Sequence, residues 1–179
     1  MSPVDLACRF DSDGDTSRSL KDAASVEAIV AMEEWQIRER CFREKVDFRV
    51  GQLDLSPSGA VPVLDLAMAL EFAVKELAMD GVASVDAPGS SWRVGLERSG
   101  EAVTVTFGGQ SGSAECSFVD LAQAAGLFMR DVMDTLTELR PELLLNAEIE
   151  RLFRDSGARA LGRDRFLRHD RVMRRKYGR

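Results

Sequence analysis

Trp92-Arg93-Val94-Gly95-Leu96-Glu97-Arg98-Ser99-Gly100-Glu101-Ala102-Val103-Thr104-Val105-Thr106-Phe107 carries two apolar alternations separated by a turn. Trp92, Val94 and Leu96 alternate with Arg93, Gly95 and Glu97, and Val103, Val105 and Phe107 alternate on the way back. A strand sends successive side chains to opposite faces, so this period of two predicts a half-buried hairpin turning at Ser99-Gly100. The glycine-rich connection from Gly108 to Ser113 then leads to a short strand around Ala114–Ser117.

Toward the C-terminus the period changes from two to that of a helix. Ser117 and Asp120 form a start like a capping box, with Asp in place of Glu. Leu121, Ala125, Phe128, Val132 and Leu136 carry an apolar face to about Arg140. Pro141 opens a further helix through Leu144, Leu145, Ile149, Leu152 and Phe153, ending near Gly157.

Toward the N-terminus, Pro62 suits a first helical turn, where its missing N–H costs nothing. Leu66, Leu70, Ala73, Val74 and Leu77 form the face of that helix, and Asp80-Gly81 stops it. Before it, Val46, Phe48 and Val50 alternate with Asp47 and Arg49. Leu53 and Leu55 resume out of phase, which predicts a strand with a bulge at Gly51-Gln52. Ser56-Pro57-Ser58-Gly59 reads as a turn. One earlier helix is expected from Val26, Ile29, Val30 and Ile37, ending between Met32 and Arg43.

The order helix, strand, helix, three strands, helices indicates an α+β fold: a small, mostly antiparallel sheet packed against helices, with a basic C-terminal helix or tail. Residues 1–157 are expected to form one α+β domain with an acidic loop at 11–22, and residues 158–179 a basic tail. A chain of 179 residues buries roughly 70% of its unfolded surface and needs no disulfide or metal to hold a core.

Charge is unevenly spread along the chain. Residues 151–179 hold 11 of the 24 Lys+Arg and 3 of the 30 Asp+Glu, a net of +8. Residues 1–150 hold the other 13 and 27, a net of −14, which returns the overall −6. No secretory pattern opens the chain, and no apolar stretch approaches the ~18 residues of a membrane span. Cys8, Cys41 and Cys116 are odd in number and lack metal-ligand spacing. They read as reduced, small apolar residues in a cytoplasmic protein.

Catalytic chemistry finds no footing in these residues. His169 is the single histidine and lies in the basic tail, where a triad base has no scaffold. Gly108-Gly109-Gln110-Ser111-Gly112-Ser113 lacks the Gly-Lys-Ser/Thr ending of a phosphate cradle, so it reads as a hairpin loop. No carboxylate pair is singled out by spacing. The expectation is a protein that is not an enzyme and carries no cofactor.

Two segments could bind ions. Asp11, Asp13, Asp15 and Asp22 fall at positions 1, 3, 5 and 12 of a calcium loop, with Ser17 and Ser19 at 7 and 9. Thr16 replaces the turn glycine, Arg18 the apolar anchor, and Asp22 is shorter than the usual bidentate Glu. These departures favour a plain acidic loop over a calcium site. In the tail, Arg163, Arg165, Arg168, Arg171, Arg174, Arg175 and Lys176 are the candidate polyanion-binding residues, since arginine suits phosphate contacts. The competing reading has the tail against its own acidic body or simply solvated.

From Val46 to Phe153 the chain resembles small uncharacterised bacterial proteins, including immunity proteins of polymorphic toxin systems. The likeness lies in the first strand, the helix after Pro62, the Trp92 hairpin, and Ser117-Phe118-Val119-Asp120-Leu121 through Pro141-Glu142-Leu143. It implies a non-enzymatic protein that binds one partner protein. Joined to the charge split, it gives an expectation of an inhibitor or immunity-type protein whose acidic body meets a basic protein. The alternative is a regulatory protein that binds nucleic acid through its tail. Neither reading involves a membrane, and both leave room for self-association.

Overall fold

The computed structural model describes residues 2–9, 26–40, 42–108 and 112–157. In chain order the elements are β1 (Val4–Arg9), α1 (Val26–Ala31), α2 (Glu34–Arg40), β2 (Arg43–Val50), β3 (Leu53–Asp54), β4 (Val61–Pro62), α3 (Val63–Met79), β5 (Val82–Asp86), β6 (Arg93–Ser99), β7 (Ala102–Phe107), β8 (Ser113–Ser117), α4 (Phe118–Leu139), a 3-10 turn (Pro141–Leu145) and α5 (Ala147–Asp155). The fold is α+β, as the alternations indicate, with two antiparallel sheets of four strands in place of one small sheet.

The second sheet is a meander, β5-β6-β7-β8, with every neighbour antiparallel. Val85, Val94, Leu96, Val103, Val105 and Cys116 occupy its buried face. The opposite face carries Ser84, Asp86, Arg93, Glu97, Thr104, Thr106 and Glu115. The first sheet is centred on β2. It pairs along its length with β1, near its end with β3, and at its start with β4. Val46, Phe48 and Val50 point inward, opposite Cys8, Leu6 and Val4.

One core serves both sheets, because α3 and α4 pack together and each reaches a sheet. Helix α3 lies over β5 and β2, while α4 lies over β1 and β8. Leu64, Leu66, Leu70 and Leu77 of α3 are buried, each contributing roughly 2 kcal/mol on transfer from water. Two polar contacts join the sheets directly. The Trp92 indole Nε1–H donates to the Leu55 carbonyl at 2.6 Å, and the Ser2 amide donates to the Glu115 carbonyl at 2.9 Å.

Several sequence expectations are corrected. Gly51-Gln52 is a two-residue hairpin turn joining β2 to β3, not a bulge. Gly51 sits at φ +59°, and a Cβ there would meet the Ser2 side chain at 2.7 Å. Pro62 precedes α3 in extended conformation and pairs with Arg43 instead of entering the first turn. The single early helix is two, broken at Met32-Glu33. The break is held from a distance. Asn146 Nδ2 donates to the Met32 carbonyl at 2.7 Å and the Val30 carbonyl at 3.5 Å, and the Glu33 amide donates to Gln36 Oε1 at 3.0 Å. Asn146 likewise splits the helix after Pro141, because its Oδ1 caps α5 through the Glu148 and Ile149 amides. The start of α4 matches expectation: Ser117 Oγ accepts from the Asp120 amide at 2.9 Å.

Candidate functional site

Asp11, Asp13, Asp15 and Asp22 of the acidic loop lie outside the described residues, as do Cys41, His169 and the tail residues Arg163, Arg165, Arg168, Arg171, Arg174, Arg175 and Lys176. Among the described residues, no group of three or more His, Cys, Asp or Glu could hold a metal ion. No helix there is long and apolar enough to cross a membrane.

The two described thiols are poor nucleophiles. Burial first, then the carboxylates of Glu44 and Asp47, pushes the Cys8 thiol well above its ordinary range. Burial and Asp120 push Cys116 up to about 11. A thiol reacts as the thiolate, so both act as packing groups at neutral pH.

Half-buried ion pairs lie where α2 meets α3. The Arg38 guanidinium reaches Asp65 Oδ1 at 2.5 Å and Glu34 Oε1 at 3.4 Å, while Arg151 of α5 reaches Glu34 Oε2 at 3.4 Å. The Arg38 Nε–H is out of line for a hydrogen bond, so its contact with Asp65 is a charge contact. Burial raises the Asp65 carboxyl above its ordinary value, against the opposing pull of Arg38. Each charge already has an opposite partner, and the set ties α2 to α3 and α5. That is a clamp more than a reaction centre.

The outer flank of α3 and the adjoining edge strand offer a surface of a different kind. Phe72 is 60% exposed, Met79 75% and Val82 58%. Phe72 and Met79 are separated by two helical turns on one side of α3, and Val82 follows the stop at Gly81, whose φ is +76°. Carboxylates surround them: Glu71, Glu76 and Asp80 from α3 and its cap, and Glu97 directly opposite Val82. The nearby arginines are engaged elsewhere. Arg93 binds Asp86, and Arg98 donates to the Gly100 carbonyl while lying over the Phe118 ring at 3.9 Å. Among the described residues, Lys75 is the remaining cation on that flank.

Strand β5 is one of the two edge strands of the meander, β8 being the other. The Arg98 amide donates to the Gly81 carbonyl, and the Ala87 amide to the Trp92 carbonyl. With the Val82↔Glu97 register, this turns the peptide groups of Ala83 and Val85 toward β6 and those of Val82, Ser84 and Asp86 outward. None of those three outward residues has a backbone hydrogen bond on that side among the described residues. Apolar stripes, the strongest signal in the sequence, mark buried faces and not this surface. The available signal was Phe72 and Met79, large apolar residues lying off the stripe of their own helix.

No protein family, curated protein or solved structure matches the chain.

Proposed function

We propose that the protein is a non-enzymatic binding module of the inhibitor or immunity type, whose acidic body engages a basic partner protein. The observation that carries this reading is the exposed apolar pair Phe72 and Met79 on α3, set among carboxylates. Exposed large apolar residues grouped within a charged rim are a common mark of a protein-binding face. The rim charge supplies the selectivity: a net of −14 over residues 1–150 speeds encounter with a cationic partner and repels anionic ones.

Co-expression with proteins encoded by neighbouring genes, followed by size-exclusion chromatography, tests the reading. A stoichiometric complex whose association rate falls steeply with salt is expected. Co-elution with none of them, and no stoichiometric partner by crosslinking in the source cells, would sink the proposal.

The +8 segment supports a second reading, binding of nucleic acid through the tail. In the full chain, replacing Arg163, Arg165, Arg168, Arg171, Arg174, Arg175 and Lys176 with Gln should then abolish DNA or RNA binding and its salt dependence. Unchanged binding removes this reading.

A further inference from the structure

The geometry points to β5 as a docking edge for an extended segment of a partner protein, rich in basic and apolar residues, which adds a fifth strand to the meander. This inference rests on the protein-binding reading and names the surface that would perform it.

β1 is also an edge, six residues long and paired only with β2, but its outer face is of mixed charge, with Asp5 and Arg9 opposite Arg49 and Lys45. β3 and β4 are two residues each, too short to template another strand, and the β8 carbonyl of Glu115 already accepts from the Ser2 amide. β5 is five residues long and turns three consecutive outward-facing residues, Val82, Ser84 and Asp86, to the open side. Proteins usually blunt such an edge with lysine, proline or a bulge, because free N–H and C=O groups template pairing. β5 has none of the three. Strand addition uses that same row of groups for affinity and leaves alternate side chains to set specificity.

The side-chain environment fixes the chemistry of the occupant. α3 lies over the edge strand itself, more than over β6, so a strand beside β5 comes under the outer flank of that helix. The inward side chains of the added strand would lie beside Ala83 and Val85, and on the opposite face its residues would flank Val82. Among the described residues, Glu71, Glu76, Asp80 and Glu97 against Lys75 favour lysine or arginine at the alternate positions. The same charge disfavours a second copy of this acidic body as the occupant.

Selection of random ten-residue displayed peptides on the immobilised full chain tests the site. Enriched peptides should alternate apolar with basic residues and shift the amide resonances of Val82, Ser84 and Asp86. Ser84→Pro removes one outward N–H without touching the ladder to β6, and should weaken those peptides by about tenfold. Should Ser84→Pro perturb the fold by near-UV circular dichroism, Val82→Arg, at an exposed position, should weaken them through charge alone. Peptides that bind elsewhere and ignore both variants overturn the docking edge and leave the protein-binding reading standing. No enrichment overturns the edge as well, while the co-expression experiment judges the broader reading. A dimer of the free protein that Ser84→Pro dissociates would make a second copy the occupant, and the partner segment would be withdrawn.

Discussion

The two sheets hold the same number of strands but are assembled by different means. β5 to β8 follow one another along the chain, and each pairs with its sequence neighbour. The first sheet gathers β1, β2, β3 and β4 around β2, with α1 and α2 inserted between β1 and its partner. The meander is thus held by local pairing, while the first sheet depends on contacts that close long loops. Local pairing forms at lower entropic cost, so the meander should be the more autonomous half. Both sheets leave a long edge strand, β1 in the first and β5 in the meander, but only the meander edge is set among a run of carboxylates.

The strongest blow to this comparison is Phe48→Ala. Phe48 is fully buried on the inner face of β2, and its loss should cost roughly 3–5 kcal/mol. Hydrogen exchange should show β1 and β2 losing protection well before β6 and β7. Equal loss in both sheets would mean that they unfold as one unit.

Arg38→Met acts on the same side of the molecule and is pH-dependent. It strips the partner from Asp65, whose side chain is 11% exposed, and should cost about 2 kcal/mol at neutral pH. The Asp65 carboxyl, already raised by burial, climbs further once the guanidinium is gone. A carboxyl with a raised folded-state pKa holds its proton more tightly folded than unfolded, so stability falls as pH rises through that range. The deficit should therefore be largest at neutral pH and shrink toward pH 4. Urea melts of variant and parent at both pH values check this. A deficit that grows on acidification contradicts the assignment.

Trp92→Phe addresses the joint between the sheets. It leaves the Leu55 carbonyl without its indole donor, at a cost of about 1–2 kcal/mol. Exchange should rise at Leu55 and Ser56 with little change in β7. Ser117→Ala is the mildest, removing only the side-chain cap of α4 for about 1 kcal/mol. A thermal melt shifted by a few degrees is the expected result.

The legible parts of the sequence were those whose signals are local. The alternation of Trp92 to Phe107 gave β6 and β7, and Ser117 with Asp120 marked the start of α4. In β1, Val4, Leu6 and Cys8 do alternate with Asp5, Ala7 and Arg9, but the strand's half-buried side chains give a weak contrast. β5 turns only Ala83 and Val85 inward, too few apolar residues to announce a strand. The break between α1 and α2 could not be read locally, because the groups that satisfy its carbonyls come from Asn146, more than a hundred residues on. The candidate surface was hidden for a related reason. An open strand edge is a property of pairing, and pairing is settled by the whole sheet.

The indole that joins the sheets also makes the joint visible to light. The chain has two tryptophans, Trp92 at 6% exposure and Trp35 at 40%. Emission from Trp92 should lie to the blue and resist iodide, while that from Trp35 should be redder and readily quenched. A parting of the sheets, however small, would carry Trp92 toward the spectrum of Trp35. The protein thus reports the separation of its two halves by its own fluorescence, with no added label.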